Sequence, residues 1–106
     1  MTFTTFIPTR RNDGSAVRKT ERQAILRETW QRFGGWTLGA VQEGAWLDPR
    51  SGATYFDKTQ PLMVDCDRNR LNDARDWVLE IGRRLDQKAM YFEVRDYDGV
   101  QILEVA

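Results

Sequence analysis

Arg32-Phe33-Gly34-Gly35-Trp36-Thr37-Leu38-Gly39-Ala40-Val41-Gln42-Glu43-Gly44-Ala45-Trp46 is the stretch that decides how this chain is read. A helix-compatible run ends at paired glycines, either of which closes a helix in the left-handed region without a Cβ clash. An aromatic segment follows at once, so a strand is expected to start at Trp36 and run over 36–47. Gly39 and Gly44 interrupt it, which predicts a bulge or a close backbone approach at each.

Upstream, Leu26, Trp30 and Phe33 recur at helical spacing with Ile25 beside them, and this face is expected to be core. Thr20-Glu21-Arg22-Gln23 reads as a capping box, giving a first helix over 17–33. Before it, Asn12-Asp13-Gly14-Ser15 is a turn cluster, and residues 2–9 alternate as a first strand with Pro8 at its end.

Downstream, Asp48-Pro49-Arg50-Ser51-Gly52 carries the strongest hairpin signal, with Pro early and Gly last. The return strand begins at Ala53, with an interruption expected around 57–61 and a kink at Pro61. A second helix, capped by Asp67 or Asn69, follows with Leu71, Ala74, Val78, Ile81 and Leu85 as its buried stripe. Trp77 falls at the edge of that stripe and is expected to be partly exposed. Residues 90–95 alternate as a fourth strand, and Asp98-Gly99 is placed to reverse the chain into a short strand over 100–105.

The order βαββαβ predicts one ferredoxin-like domain over residues 1–106, with both helices on one face of an antiparallel sheet ordered 4-1-3-2. The uncovered face then needs water, a partner or a ligand.

Ile7-Pro8 with Asn12-Asp13-Gly14, Phe33-Gly34-Gly35 with Thr37, Gly44 with Trp46, Asp57, and Gln87 with Tyr91 together resemble a family of small uncharacterised bacterial proteins. That resemblance implies the same ferredoxin-like fold and a bacterial origin. It implies no activity, since ferredoxin-like domains serve many functions.

Charge and residue types bound the chemistry. Sixteen basic residues balance sixteen acidic ones, although residues 1–35 carry a net +4 and residues 36–106 a net −4. With no histidine, Ser-His and Cys-His nucleophiles are absent. Cys66 sits between Asp65 and Asp67, whose charge raises a thiol pKa, and a lone cysteine forms no internal disulfide. The N-terminal residues carry no basic, apolar leader pattern and no apolar run approaches a membrane span. A cytoplasmic location and no membrane partner are therefore expected.

Asp13, Asp57, Asp65 and Asp67 lie near expected strand ends. Asp13 and Asp57 are the candidate catalytic acids of a metal-dependent phosphodiesterase or nuclease, and Asp13, Asp65 and Asp67 its candidate metal ligands. Ordinary turn and capping roles also explain these acids, so neither a metal nor a cofactor is expected. Arg10 and Arg11 precede a basic helix start, a pattern that suits phosphate. The RNA-binding octapeptide is missing and the pI is near 6.3, which disfavours nucleic acid. The leading expectation is a non-enzymatic interaction module, a homodimer or a partner of another protein, with contacts through Arg10, Arg11, Trp36, Trp46 and Tyr91. A small-molecule sensor with its pocket between the sheet and the Trp36/Trp46 segment is the remaining alternative.

Overall fold

The computed structural model describes residues 1–96 and 103–105. Strand β1 is Thr2–Pro8, helix α1 is Lys19–Phe33, and three strands follow: β2 at Thr37–Leu38, β3 at Gln42–Leu47 and β4 at Thr54–Asp65. A 3-10 turn at Arg68–Arg70 leads into α2, Leu71–Arg84, and β5 is Glu93–Arg95. The antiparallel sheet runs β2-β4-β1-β5, with β3 also paired to β4. This is the expected ferredoxin-like order, with the second strand divided into β2 and β3. The expected strand over 100–105 has its residues 100–102 outside the described residues, and 103–105 carry no regular structure.

Alternation along β1 explains the layering. Phe3, Thr5 and Ile7 are buried, as are Leu62 and Val64 of β4, while Thr4, Phe6 and Met63 point the other way. Ile25 of α1 and Ala74, Trp77, Val78 and Ile81 of α2 close over the buried side in one core cluster, so both helices lie on one face.

Helix α1 differs from expectation in its face and its cap. Trp30 is 60% exposed, and the buried residues are Ile25 and Thr29. Thr29 is tolerated inside because its hydroxyl donates to Ile25 O at 2.7 Å and accepts from Trp77 Nε1 at 2.9 Å. That bond also draws Trp77 fully into the core rather than to its edge. The cap forms two residues early, where the Arg18 N–H donates to Glu21 Oε1 at 3.2 Å. Gly34, at φ 88°, closes the helix.

β4 runs unbroken past Pro61, contrary to the expected kink, and its partner breaks instead. Gly39 N–H donates to Pro61 O at 2.8 Å, so the missing proline N–H faces the same side, where residues 39–41 separate β2 from β3. A Cβ on Gly39 would lie 2.6 Å from Pro61 Cγ, the close approach expected there. Gly44 shows neither bulge nor crowding, since it pairs in register with Asp57 and a Cβ there meets nothing within 4 Å. The break also shifts register by one residue: Leu38 opposes Leu62, but Gln42 opposes Thr59 rather than Lys58. Even-numbered residues of β3 therefore face away from the helices, whereas Leu38 faces them.

Candidate functional site

On the helix-free side, the β3–β4 hairpin extends beyond β1, and residues 87–91 cross beside it. Between them lies a cleft of about 400 Å³. Its floor is a series of cross-strand pairs on one side of the sheet, Gln42–Thr59, Gly44–Asp57 and Trp46–Tyr55. Two aromatic pairs bound it: Trp46 stacks on Tyr55 with centroids 5.7 Å apart, and Phe6 stacks on Tyr91 at 4.3 Å with rings 5° from parallel. The hairpin turn holding the arm closed behaves as the sequence demanded, with Asp48 N–H donating to Ala53 O at 2.9 Å and Gly52 at φ 73°.

The crossing segment is pinned at both ends. Gln87 Nε2 donates to Arg10 O at 3.0 Å and to Leu85 O at 2.9 Å. Lys88 Nζ donates to Tyr55 Oη at 3.1 Å and sits 5.1 Å from that ring's centroid, and the bond holds the ammonium pKa above its usual value. Tyr91 Oη donates to Glu93 Oε2 at 2.9 Å, which pushes the phenol pKa up. Asp57 is exposed on the floor, and its side chain makes no hydrogen bond or ion pair with the described residues.

Most of the motif residues divide between two places, while Ile7 lies in the core and Asp13 and Gly14 in the turn before α1. Pro8, Asn12, Gly44, Trp46, Asp57, Gln87 and Tyr91 all line this cleft. Phe33, Gly34, Gly35 and Thr37 line a smaller pocket of about 250 Å³ with Trp36 and Asp65. Trp36 and Trp46 are thus in separate sites rather than one. Thr37 pairs with Met63 and Trp46 with Tyr55, eight residues apart along β4, or about 26 Å at strand rise.

Among the other expected site residues, Arg11 is held by an ion pair with Glu21, whose carboxyl pKa it lowers. Arg10 is exposed and donates to Gly14 O at 2.9 Å. Asp13 accepts from Ser15 N–H at 2.8 Å and Ser15 Oγ at 2.6 Å, bonds that lower its pKa. Asp67 caps the 3-10 turn by position, while Asp65 pairs with Thr2 at the far end of β4. Among the described residues no group of three acids or cysteines is arranged to hold a metal. Burial raises the Cys66 thiol pKa first, with Asp65 and Asp67 adding to it. Lys88 escaped the sequence reading, because a lysine in a turn gives no signal until its aromatic neighbour is placed across the fold.

No family model and no curated protein sequence matches this chain. Its fold is similar to that of solved phage structures. One is a phage SAM lyase in complex with S-methyl-5'-thioadenosine, with a TM-score of 0.72 at 12% identity, covering 90% of this chain and 79% of that one. Another is a phage SAM lyase in the apo state, with a TM-score of 0.56 at 13% identity, covering 86% and 75%. At these identities the likeness bears on the fold, a mixed α+β arrangement with, among the described residues, a five-stranded antiparallel sheet and two α-helices. No helix among the described residues is long and apolar enough to cross a membrane.

Proposed function

We propose that this chain binds an adenosine-bearing sulfur compound, of the class formed by SAM and S-methyl-5'-thioadenosine, in the cleft beneath Trp46, with SAM cleavage as its reaction class. The observation that carries this reading is the aromatic-walled cleft of about 400 Å³ on the helix-free sheet face, a volume within the range of small-molecule sites. A purine is flat and stacks on exposed aromatic rings, an interaction worth about 1–3 kcal/mol per base. Trp46 and Tyr91 are 40% and 45% exposed and offer such faces. Asn12, Gln42 and Thr59 supply polar groups for the purine edge or the ribose. The likeness to a phage SAM lyase in complex with S-methyl-5'-thioadenosine supports the choice of ligand class.

Titration calorimetry with S-methyl-5'-thioadenosine and with SAM tests the reading, alongside chromatography of SAM incubated with the protein. Saturable binding of either supports it, and release of S-methyl-5'-thioadenosine supports the lyase class. The absence of binding by both at millimolar concentration overturns it.

A second reading, the non-enzymatic pairing module, is favoured by one observation. Phe56 is 83% exposed and Leu47 60% exposed on the helix-side face of the β3–β4 arm, beyond the reach of the core. Homodimerisation there covers apolar surface that water otherwise contacts. Light scattering at micromolar concentration decides this, since a mass near 12.4 kDa counts against it. Either reading suits a cytoplasmic protein.

A further inference from the structure

The cleft floor contains a gap beside the acidic side chain of Asp57, and Glu43 also lines the cleft. Gly44 has no side chain to stand next to Asp57, and space for a Cβ is open there to at least 4 Å. Asp57 therefore faces an empty position one residue wide, with the Trp46–Tyr55 stack at the next pair along the strands. A carboxylate and the faces of aromatic rings attract positive charge in the same sense. The protein already places one cation on this stack, Lys88 over the Tyr55 ring. The Lys88 ammonium keeps its charge and donates to the neutral Tyr55 Oη, whereas the Asp57 side chain bonds none of the described residues.

We infer that Asp57 is a specificity-determining residue that makes the cleft prefer adenosyl compounds carrying a positive charge, a sulfonium above all, over their neutral thioether counterparts. The charged sulfur takes the gap left by Gly44, while the purine occupies an aromatic wall. This rests on the ligand class proposed above and narrows it to the cationic members.

The test compares SAM with S-adenosylhomocysteine, which lacks only the sulfonium methyl and its charge, by titration calorimetry. S-methyl-5'-thioadenosine is titrated in parallel to report on the cleft itself. Wild type is expected to bind SAM roughly threefold to fivefold tighter than S-adenosylhomocysteine, the scale of one exposed charge or cation–π contact. Asp57→Asn should bring that ratio close to one, and so should Gly44→Val, which fills the gap while keeping the carboxylate. Asp65→Asn, eight residues along the same strand and outside the cleft, should preserve the preference. A ratio near one in wild type, or one unmoved by Asp57→Asn, overturns the inference while thioadenosine binding leaves the cleft reading standing. If none of the three compounds binds, both fall together.

Discussion

Trp77 Nε1 donates to Thr29 Oγ1 at 2.9 Å, a bond between two fully buried residues that ties α2 to α1 inside the core. Arg32 and Arg84 lie over the same indole at 4.5 and 5.1 Å, so a polar layer surrounds a ring that is itself inaccessible. Thr29→Val strands the indole N–H in an apolar interior, and urea denaturation is expected to show a loss of about 1–3 kcal/mol. Adding Trp77→Phe removes the stranded donor, so the double variant should lose less than the two single losses combined.

Gly39 and Pro61 form a second steric pair. Gly39→Ala puts a methyl where Pro61 Cγ already stands at 2.6 Å, and a loss of about 1–3 kcal/mol is expected from the overpacking. Pro61→Ala should relieve most of that loss when combined with it. A denaturation midpoint unaffected by Gly39→Ala would show that β2 does not pack against β4 as described.

The two glycines after α1 are expected to differ. Gly34 is at φ 88°, so Gly34→Val forces a branched residue into the left-handed region, at a cost of about 1–3 kcal/mol. Gly35 is not in that region and a Cβ there meets nothing within 4 Å, so Gly35→Ala should leave the melting temperature nearly unchanged.

Stability should fall in acid partly through Glu28. Its carboxyl pKa is lowered from 4.5, first by the hydrogen bond from Arg84, so the folded form holds its proton less readily than the unfolded chain. The pair therefore stabilises the fold above the ordinary glutamate range, and the contribution fades as pH drops below about 4.5 toward the lowered folded value. Glu28→Gln should be less stable than wild type at pH 7, with the gap narrowing as the pH falls below the ordinary glutamate range, as read from denaturation midpoints at each pH.

Trp46→Ala separates fold from site. The ring is 40% exposed and lies outside the core cluster, so the stability loss should stay near or below about 1 kcal/mol. Affinity for S-methyl-5'-thioadenosine should fall about tenfold or more through the lost stacking face. Equal affinity would move the purine to the Phe6–Tyr91 wall.

How much of this was legible in the sequence depended on where the physics was local. The α2 stripe of Ala74, Val78, Ile81 and Leu85 was readable because apolar residues at helical spacing have one way to be buried. The Asp48–Gly52 turn was readable from backbone chemistry alone. Thr29 was not, since its burial depends on an indole 48 residues away. At Pro61 the missing donor is visible in the sequence and points to a kink, but which neighbour yields to it is not. Trp46, Asp57 and Tyr91 were picked out one by one, while their meeting place depended on the register change after Leu38 and on the path of residues 87–91.

That break decouples two anchors. The Asp48–Gly52 turn alone holds β3 in register with β4, so removing one amino acid from 39–41 would leave Trp46 opposite Tyr55 and act instead on Leu38, whose partner Leu62 lies on the other side of the break. Relatives differing by a single indel at this spot would then keep the same recess while altering how the sheet's edge meets the helices.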